Sequence, residues 1–253
     1  MNSRNILITG AGSGFGRAMA VRLAKEGNNL ILNDLNSDGL NETKSLLKSY
    51  NVETLLHVGD ISDSKFVKSM ISETFDKFKL LHILINNAGI GGNPTNTIDI
   101  SEEEMERIMS VNFKGPWLVS KFAAKKMKSQ RQLNPIRGKI INIASIAGKE
   151  PSPLIGIYSC SKAALIALTK VLAMELAPKM TVNAICPGFH VTGIYKNDPN
   201  LIKEYMDILN KNILLKRIGD ADDITGLVSF LVSDDSNYMT GQIINVDGGV
   251  VFH

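Results

Sequence analysis

Residues 5–16 read NILITGAGSGFG, and this stretch indicates the fold more directly than any other part of the chain. An apolar run suited to a buried strand, residues 5–9, leads straight into a glycine-rich turn and a helix-like segment. Glycines let a backbone approach a pyrophosphate closely, and the first turn of a helix offers free N–H groups and a positive dipole end. The stretch therefore predicts a dinucleotide-binding turn with contacts from Gly10, Ser13, Gly14, Phe15 and Gly16.

Short apolar runs alternate with longer amphipathic segments along the rest of the chain. This alternation predicts a parallel sheet covered by helices on both faces. Right-handed crossovers then make residues 1–253 one α/β domain of the Rossmann type, with a doubly wound sheet of about seven strands. Strands are predicted at 5–9, 29–34, 52–58, 82–86, 139–144, 181–186 and 243–246, and helices at 16–27, 37–50, 62–78, 101–130, 157–177 and 221–233.

Residues 187–219 form a long excursion between the last two predicted strands, with a short helix predicted near 199–210. Long insertions in compact domains usually carry function. This excursion leaves the carboxyl end of a strand, where ligands bind in open α/β sheets. We therefore expect a substrate loop at about 187–219.

The composition excludes several classes of partner. A net charge of +3, from 28 basic and 25 acidic residues, is too balanced to indicate nucleic acid. No apolar run long enough for a membrane span and no signal region are evident, so no membrane partner is expected. Two cysteines, Cys160 and Cys186, cannot build a disulfide framework, which favours a cytoplasmic location. The histidines do not cluster with cysteines or carboxylates, so no metal site is expected.

Asp34 ends the second predicted strand, where a carboxylate can accept hydrogen bonds from the ribose hydroxyls of a dinucleotide. The same charge would repel a 2′-phosphate by several kcal/mol at about 4–5 Å. The neighbouring positions Ser13, Leu35 and Asn36 offer no compensating cation, so NAD is predicted in preference to NADP. Weaker candidates for cofactor contacts follow the third and fourth predicted strands; they are Asp60, Ile61, Asn87, Ala88 and Gly89.

Tyr158 and Lys162 lie four residues apart in a predicted helix and therefore share one face. A free phenol has a pKa of about 10, and an ammonium about 4 Å away at an effective dielectric of about 20 would lower it by about three units. A phenol tuned in this way suits general acid/base chemistry near neutral pH. A surface pair without function is the alternative, because this spacing is common.

In this order, the motifs resemble those of the short-chain dehydrogenase/reductase family, single-domain and NAD-preferring, over essentially the whole chain. The resemblance implies a catalytic set of Asn112, Ser145, Tyr158 and Lys162. Tyr158 would act as general acid/base, Ser145 would orient the substrate oxygen, and Lys162 would hold the nicotinamide ribose and lower the pKa of Tyr158. Asn112 would sit at a distortion in its helix and tie a water into a proton relay ending at Lys162. Further implied cofactor contacts are Pro187, Gly188, His190 and Thr192.

The segments expected around the substrate, 90–98, 147–157 and 189–215, are mostly apolar and contain no arginine that could bind a carboxylate. A small secondary alcohol or its ketone is therefore predicted, interconverted by hydride transfer. The expected substrate contacts are Ser145, Ala147, Ile155, Tyr158 and Phe189. The side chain of His190 either points into this pocket or faces solvent, and Cys160 is expected to be a small buried thiol.

Two alternatives remain open. One is an NADPH-dependent reductase of the 3-oxoacyl-(acyl-carrier-protein) kind, whose acidic partner would suit the basic segment from Lys125 to Arg131. The other is a nucleotide-binding regulator without catalysis. Asp34 argues against the first, and the intact catalytic set argues against the second. The resemblance also implies a homotetramer or homodimer with subunit contacts through the helices predicted at 101–130 and 157–177.

Overall fold

A computed structural model describes residues 3–130, 136–190 and 212–253. Within these ranges, seven parallel strands form one sheet in the order β3-β2-β1-β4-β5-β6-β7. The strands are β1 (Asn5–Thr9), β2 (Asn29–Asp34), β3 (Thr54–Val58), β4 (Ile83–Asn86), β5 (Gly138–Ile143), β6 (Met180–Pro187) and β7 (Ile243–Val246). The α-helices are α1 (Gly14–Lys25), α2 (Ser37–Leu46), α3 (Ser64–Phe78), α4 (Glu102–Met109), α5 (Gly115–Met127), α6 (Gly156–Leu176) and α7 (Thr225–Val232).

Helices cover both faces of the sheet, which is why its central strands are apolar at successive positions rather than at alternate ones. Ile6 and Ile8 of β1 belong to a buried cluster with α1, α2 and α7, whereas Leu7 between them belongs to the cluster with α3 and α5. The predicted doubly wound α/β sheet of seven strands is confirmed. The strand order reverses between β1 and β4, and this reversal opens a crevice at the carboxyl edge of the sheet.

The first helix differs from the next three in that no side chain caps its N-terminus. Asn36, Asp63 and Ser101 each cap their helix by accepting a hydrogen bond from a backbone N–H of the first turn. Ser13, at the start of α1, makes no side-chain cap, and the first turn of α1 contains no acidic residue. Uncapped N–H groups at a helix start are available to an anion, and here they face the crevice side of the sheet.

The helix predicted over 101–130 is interrupted. Helix α4 ends at Met109, a π turn occupies Ser110–Lys114, and α5 then runs to Met127. A π turn is a single turn within a helix, and the backbone stays helical at Met109 and Gly115 on either side of it, so one continuous helix was predicted. The distortion expected at Asn112 is this five-residue turn.

Smaller differences concern element ends. The helix predicted over 37–50 ends at Leu46, and the strand predicted over 52–58 begins at Thr54. The segment predicted as a helix over 221–233 begins as a 3-10 turn, Ala221–Ile224, capped by Asp220, and continues as α7. The short helix predicted near 199–210 lies outside the described residues.

Among the described residues, α6 has the length and apolar composition that would suit a membrane span. It also carries Tyr158 and Lys162, and buries residues along its length against the parallel sheet, in clusters with β5 and β6. A core helix of this kind can have the same length and apolar composition as a membrane helix, so these two properties of α6 are weak evidence for a membrane span.

Candidate active site

The glycine turn after β1 forms a cradle at the crevice. Gly10 has φ +65°, a conformation that favours glycine, and a Cβ placed on Gly16 would lie 2.0 Å from Gly10 O. The turn therefore packs against itself at Gly16, with no room there for a side chain, and presents backbone to the crevice. Together with the uncapped start of α1, this arrangement fits a dinucleotide pyrophosphate.

Residues after β4 hold this turn in place. The side-chain amide of Asn87 donates to Thr9 O at 2.9 Å and to Gly10 O at 3.0 Å. Thr9 Oγ1 in return accepts hydrogen bonds from the backbone N–H groups of Asn87, at 3.0 Å, and Ala88, at 3.1 Å. The amide of Asn87 is thus engaged in positioning the glycine turn, which the sequence reasoning did not anticipate.

Asp34 lies at the carboxyl end of β2, beside the glycine turn. Its carboxylate accepts hydrogen bonds from Gly12 N at 2.8 Å and Asn36 N at 3.0 Å. A cation that the sequence reasoning missed lies behind the turn, because Arg17 donates to Gly12 O at 2.5 Å. Arg17 is paired with the Glu42 carboxylate at 2.7 Å, so its charge is partly balanced there.

Asp60 and Ile61 follow β3 at the same edge. The Asp60 carboxylate accepts a hydrogen bond from Ser62 N at 2.7 Å. The Ile61 side chain is buried in the core, against the position where a Cβ on Gly115 would lie. A cofactor contact by Ile61 would therefore come from its backbone rather than from its side chain.

Ser145 begins a 3-10 turn directly after β5. Its Oγ accepts a hydrogen bond from Ala147 N at 3.1 Å, so Ala147 shapes the turn beneath the hydroxyl. A Cβ on Gly148 would lie 2.7 Å from the carbonyl carbon of Lys162, which means that the turn rests directly on the backbone of α6. This close contact brings the Ser145 turn against the helix that carries Tyr158 and Lys162.

Lys162 is buried, with 4% of its surface exposed, and its Nζ donates to Ile143 O at 3.0 Å. The same Nζ lies 5.7 Å from the centroid of the Tyr158 ring. Burial lowers the pKa of Lys162 to about 8, so the ammonium is charged at neutral pH by a margin of about one unit. The effect of Lys162 on the pKa of Tyr158 stays a prediction.

Asn112 lies in the π turn and is fully buried. Its Oδ1 accepts from Ile90 N at 2.8 Å, and its Nδ2 donates to Ile90 O at 2.9 Å. A Cβ on Gly89 would lie 3.3 Å from Asn112 Oδ1 and 3.2 Å from Lys162 Nζ. Asn112 and Lys162 therefore border the same space, which Gly89 leaves open.

A shallow pocket beside Tyr158 is formed by two segments that are distant in sequence. Thr95 pairs with Ile155 in an isolated parallel bridge, and Thr95 N donates to Leu154 O at 2.8 Å. A Cβ on Gly156 would lie 2.0 Å from Thr97 Oγ1, so a side chain there would displace the Thr97 side chain. The pocket is lined by Ile155 and Tyr158 of the predicted substrate contacts, together with Asn93, Thr95, Thr97 and Leu154; Ser145, Ala147 and Phe189 do not line it. The threonines and Asn93 add polar groups that were not predicted.

The described start of the predicted substrate loop contains Pro187, Gly188, Phe189 and His190. The ring of His190 meets the ring of Phe15 edge to face, with centroids 5.1 Å apart, and its Nδ1 lies 3.1 Å from Gly188 O. His190 also pairs with Gly219 in an isolated bridge, so the two described ends of the excursion meet. Phe189 is 40% exposed. The predicted contact Thr192 lies outside the described residues.

Two further expectations concern reactive groups. Cys160 is exposed on α6, so the expectation of a buried thiol is wrong; helix periodicity turns this position away from the sheet, between the buried Ser159 and Ser161. Cys186 is buried, and burial raises the pKa of its thiol. In the described ranges, no three His, Cys, Asp or Glu residues come together as a metal site.

Comparison with known proteins finds a family model and relatives that match nearly the whole chain. A family model described as enoyl-(acyl carrier protein) reductase matches residues 10–251. A diacetyl reductase of the (S)-acetoin-forming type from Staphylococcus epidermidis is 35% identical, with 99% of each chain covered. A 3-oxoacyl-(acyl-carrier-protein) reductase from the same species is 35% identical over 98% of this chain and 99% of its own. The crystal structure of an NAD⁺-bound xylitol dehydrogenase superposes with a TM-score of 0.90 at 31% identity, covering 98% of this chain and 99% of that one.

Proposed function

This chain belongs to the short-chain dehydrogenase/reductase family of oxidoreductases, and from that premise we propose that it interconverts a small secondary alcohol and its ketone with NAD(H). One observation carries the proposal. Tyr158, Lys162, Asn112 and the Ser145 turn come together at the carboxyl edge of the sheet, beside a glycine cradle that has no side-chain cap. Proton-handling groups and a dinucleotide cradle are the two components that hydride transfer to or from a carbonyl carbon requires.

The protein groups divide the work of the reaction. Oxidation of an alcohol requires an alkoxide-like oxygen while hydride leaves the carbon. Tyr158 takes the proton of the substrate hydroxyl, and in the reverse direction it returns a proton to the carbonyl oxygen. The Ser145 hydroxyl orients the substrate oxygen, and Lys162 stabilises the phenolate of Tyr158. Asn112 borders the same space as the Lys162 ammonium. The nicotinamide ring, when bound, supplies the hydride acceptor or donor.

The preference for NAD rests on Asp34. Its carboxylate accepts a hydrogen bond from Gly12 N, and in the proposed complex the adenosine ribose of a dinucleotide in this cradle would lie beside it. A 2′-phosphate there would meet a negative charge, and the nearest cation, Arg17, is paired with Glu42. The NAD⁺-bound relative is consistent with this choice.

The substrate class follows from the pocket beside Tyr158. Ile155 and Leu154 provide apolar contact, while Thr95 and Thr97 provide uncharged polar groups. No described group in this pocket carries a charge, which favours a neutral alcohol, ketone or diketone over a carboxylate. The similarity to a diacetyl reductase supports a compact carbonyl substrate.

A second candidate is an NADPH-dependent 3-oxoacyl-(acyl-carrier-protein) reductase, favoured by the similarity to such an enzyme from Staphylococcus epidermidis. A basic surface on α5 would then bind the acidic carrier. Two of its lysines instead lie over rings of their own chain, Lys121 at 4.6 Å from the Trp117 centroid and Lys126 at 6.0 Å from that of Phe75. Arg131 of this segment lies outside the described residues. A nucleotide-binding regulator without catalysis is a third, weaker candidate.

We place the enzyme in the cytoplasm as a homotetramer or homodimer. Apolar side chains on the outward faces of α5 and α6 support subunit contacts there, since Trp117 is 40%, Val171 42% and Met174 73% exposed. Burying such groups against a second copy would remove them from water.

Turnover distinguishes the candidates. The purified chain is given NAD or NADP with a panel of small secondary alcohols. In the reverse direction it is given NADH or NADPH with 3-oxoacyl thioesters, free and carrier-bound. NADH formation from a neutral secondary alcohol, with NADP used poorly, is the expected result. Reduction of a carrier-bound 3-oxoacyl group with NADPH alone would favour the second candidate, and cofactor binding without turnover would favour the third.

A further inference from the structure

Ser161 bridges two parts of the catalytic set. It is fully buried on α6, one turn after Tyr158. Its hydroxyl donates to Tyr158 O at 2.6 Å and accepts a hydrogen bond from Asn112 Nδ2 at 3.0 Å. The single proton and one lone pair of the hydroxyl are thereby used, and both bonds lead to residues of the proposed catalytic set.

The bridge joins the π turn to α6. Asn112 is already fixed to Ile90 by two hydrogen bonds, so its amide orientation does not depend on Ser161. What Ser161 adds is a hydroxyl bridge, which accepts from that fixed amide and donates to the carbonyl oxygen of Tyr158. In a regular helix the same carbonyl accepts from the N–H of Lys162, so the bond acts on the turn of α6 that sets both catalytic side chains.

Ser159 provides a natural comparison on the same helix. It is 2% exposed, and its Oγ has no hydrogen-bond partner among the residues that the structure describes. The two serines share residue type, helix and burial, and differ in whether the hydroxyl connects Asn112 to Tyr158. Removing the Ser159 hydroxyl therefore controls for the loss of a small buried polar group.

We propose that Ser161 is a positioning residue, which couples Asn112 in the π turn to Tyr158 and Lys162 and so aligns the phenol with the ammonium. This inference rests on the proposed function, in which Tyr158 is the acid/base. Without the Ser161 hydroxyl, cofactor binding persists because the glycine cradle and Asp34 are untouched, while proton transfer slows because the pair is misaligned.

The test compares Ser161→Ala, Ser161→Cys and Ser159→Ala with the wild-type chain. Ser161→Cys keeps the volume with a weak donor, and it carries the test if the alanine variant does not fold. For Ser161→Ala we expect kcat to fall by about 10–100-fold, since small misplacements of reacting groups have effects of this order, with a much smaller change in NAD affinity. Ser159→Ala should retain the wild-type kcat.

A second measurement does not depend on turnover. The absorbance of tyrosinate against pH, with a Tyr158→Phe blank subtracted, follows the ionisation of Tyr158 in the NAD-bound chain. Ser161→Ala should move the midpoint to higher pH and Ser159→Ala should not. Among the described residues, the titratable group that acts on Lys162 from the sheet is the Cys186 thiol of β6, which every variant retains.

Wild-type kcat and a wild-type ionisation midpoint in Ser161→Ala would overturn the positioning role, as would equal effects of the two serine substitutions. A parallel loss of NAD affinity and thermal stability in Ser161→Ala would also overturn it, because the residue would then be merely structural. Absence of turnover in the wild-type chain would contradict the proposed function instead, and the tyrosinate midpoint would still decide the role of Ser161.

Discussion

Lys162 and Lys139 are two buried lysines whose ammonium groups lie at opposite ends of strand β5. Burial lowers the pKa of each to about 8, so by that property the two are alike. Their neighbours differ. At the amino end, Lys139 Nζ donates to Ser236 Oγ at 2.8 Å and to Ser233 O, and the carboxylate of Asp234 raises its pKa again in part.

At the carboxyl end, Lys162 has one main-chain acceptor, Ile143 O, and the neighbour that acts on its pKa is the Cys186 thiol rather than a carboxylate. Its ammonium borders Tyr158 and the space beside Gly89. The lysine at the amino end is therefore enclosed by partners, whereas the lysine at the carboxyl end faces reacting groups. A lowered lysine pKa reports burial, and only the neighbours distinguish a structural lysine from a chemical one.

The largest expected effect is that of replacing Tyr158, and it tests whether the chemistry takes place at the carboxyl end of β5. Tyr158→Phe keeps the ring beside Lys162 and removes the phenol oxygen. Turnover should fall by about 10²–10⁴-fold, the usual contribution of a general acid/base, while NAD still binds. NADH absorbance gives the rate and fluorescence titration gives the affinity. Near-wild-type turnover would sink the mechanism.

The two lysines can be compared directly. Lys162→Met and Lys139→Met each replace a buried ammonium by an unbranched apolar side chain. We expect kcat to fall by about 10²-fold or more for Lys162→Met, since the phenol loses its charged neighbour, and to stay close to wild type for Lys139→Met. Steady-state kinetics on both variants checks this. Similar losses of kcat in the two variants would remove the distinction between the ends of β5.

A third prediction concerns Asp34, which lies at the carboxyl end of β2. Asp34→Ala removes the charge that opposes a 2′-phosphate, so the ratio of kcat/KM for NADP to that for NAD should rise by about tenfold or more, equivalent to about 1.4 kcal/mol. Asp38→Ala, an exposed carboxylate on α2, is the matched control for net charge. Equal use of both cofactors by the wild-type chain would show that the argument from Asp34 is wrong.

The smallest effect concerns stability, where the two lysines should behave alike. Each has a pKa near 8 in the folded chain against 10.5 when unfolded, so the unfolded chain holds more protons between pH 8 and 10.5. The free energy of unfolding should therefore rise with pH in that window, by at most about 1.4 kcal/mol per pH unit for each lysine.

Urea unfolding at several pH values measures this slope. In either methionine variant, the slope of the unfolding free energy against pH should decrease by the contribution of one lysine. An unchanged slope in Lys139→Met would mean that its ammonium is not desolvated as the structure indicates, and the parallel between the two lysines would fail.

Local sequence was sufficient for part of the structure. Consecutive apolar residues such as Ile6, Leu7 and Ile8 can only be buried on both sides, so the parallel sheet followed from composition and order. The glycine turn and Asp34 were also predictable. Each lies at the carboxyl end of its own strand, β1 or β2, and parallel neighbours end at the same edge of the sheet.

Other features depend on contacts that sequence spacing does not report. The π turn around Asn112 is a single turn between two helices, and the sequence predicted the whole segment as one helix. Thr95 meets Ile155 across sixty positions, and Asn87 reaches back to the glycine turn. The burial of Lys139 likewise comes from Ser233 and Ser236, which are remote in the chain.

The contact between Gly156 and Thr97 has a consequence for how such an enzyme could change its specificity. The rim of the pocket is attached to the catalytic helix through the close contact of Gly156 with Thr97 Oγ1, and through backbone pairing of Thr95. Side chains at Asn93 and Thr95 can therefore vary without altering Tyr158 or Lys162, because neither attachment uses them. In evolutionary terms, the rim is a module under separate selection, and directed libraries confined to positions 93 and 95 should yield new substrates at little risk to proton transfer.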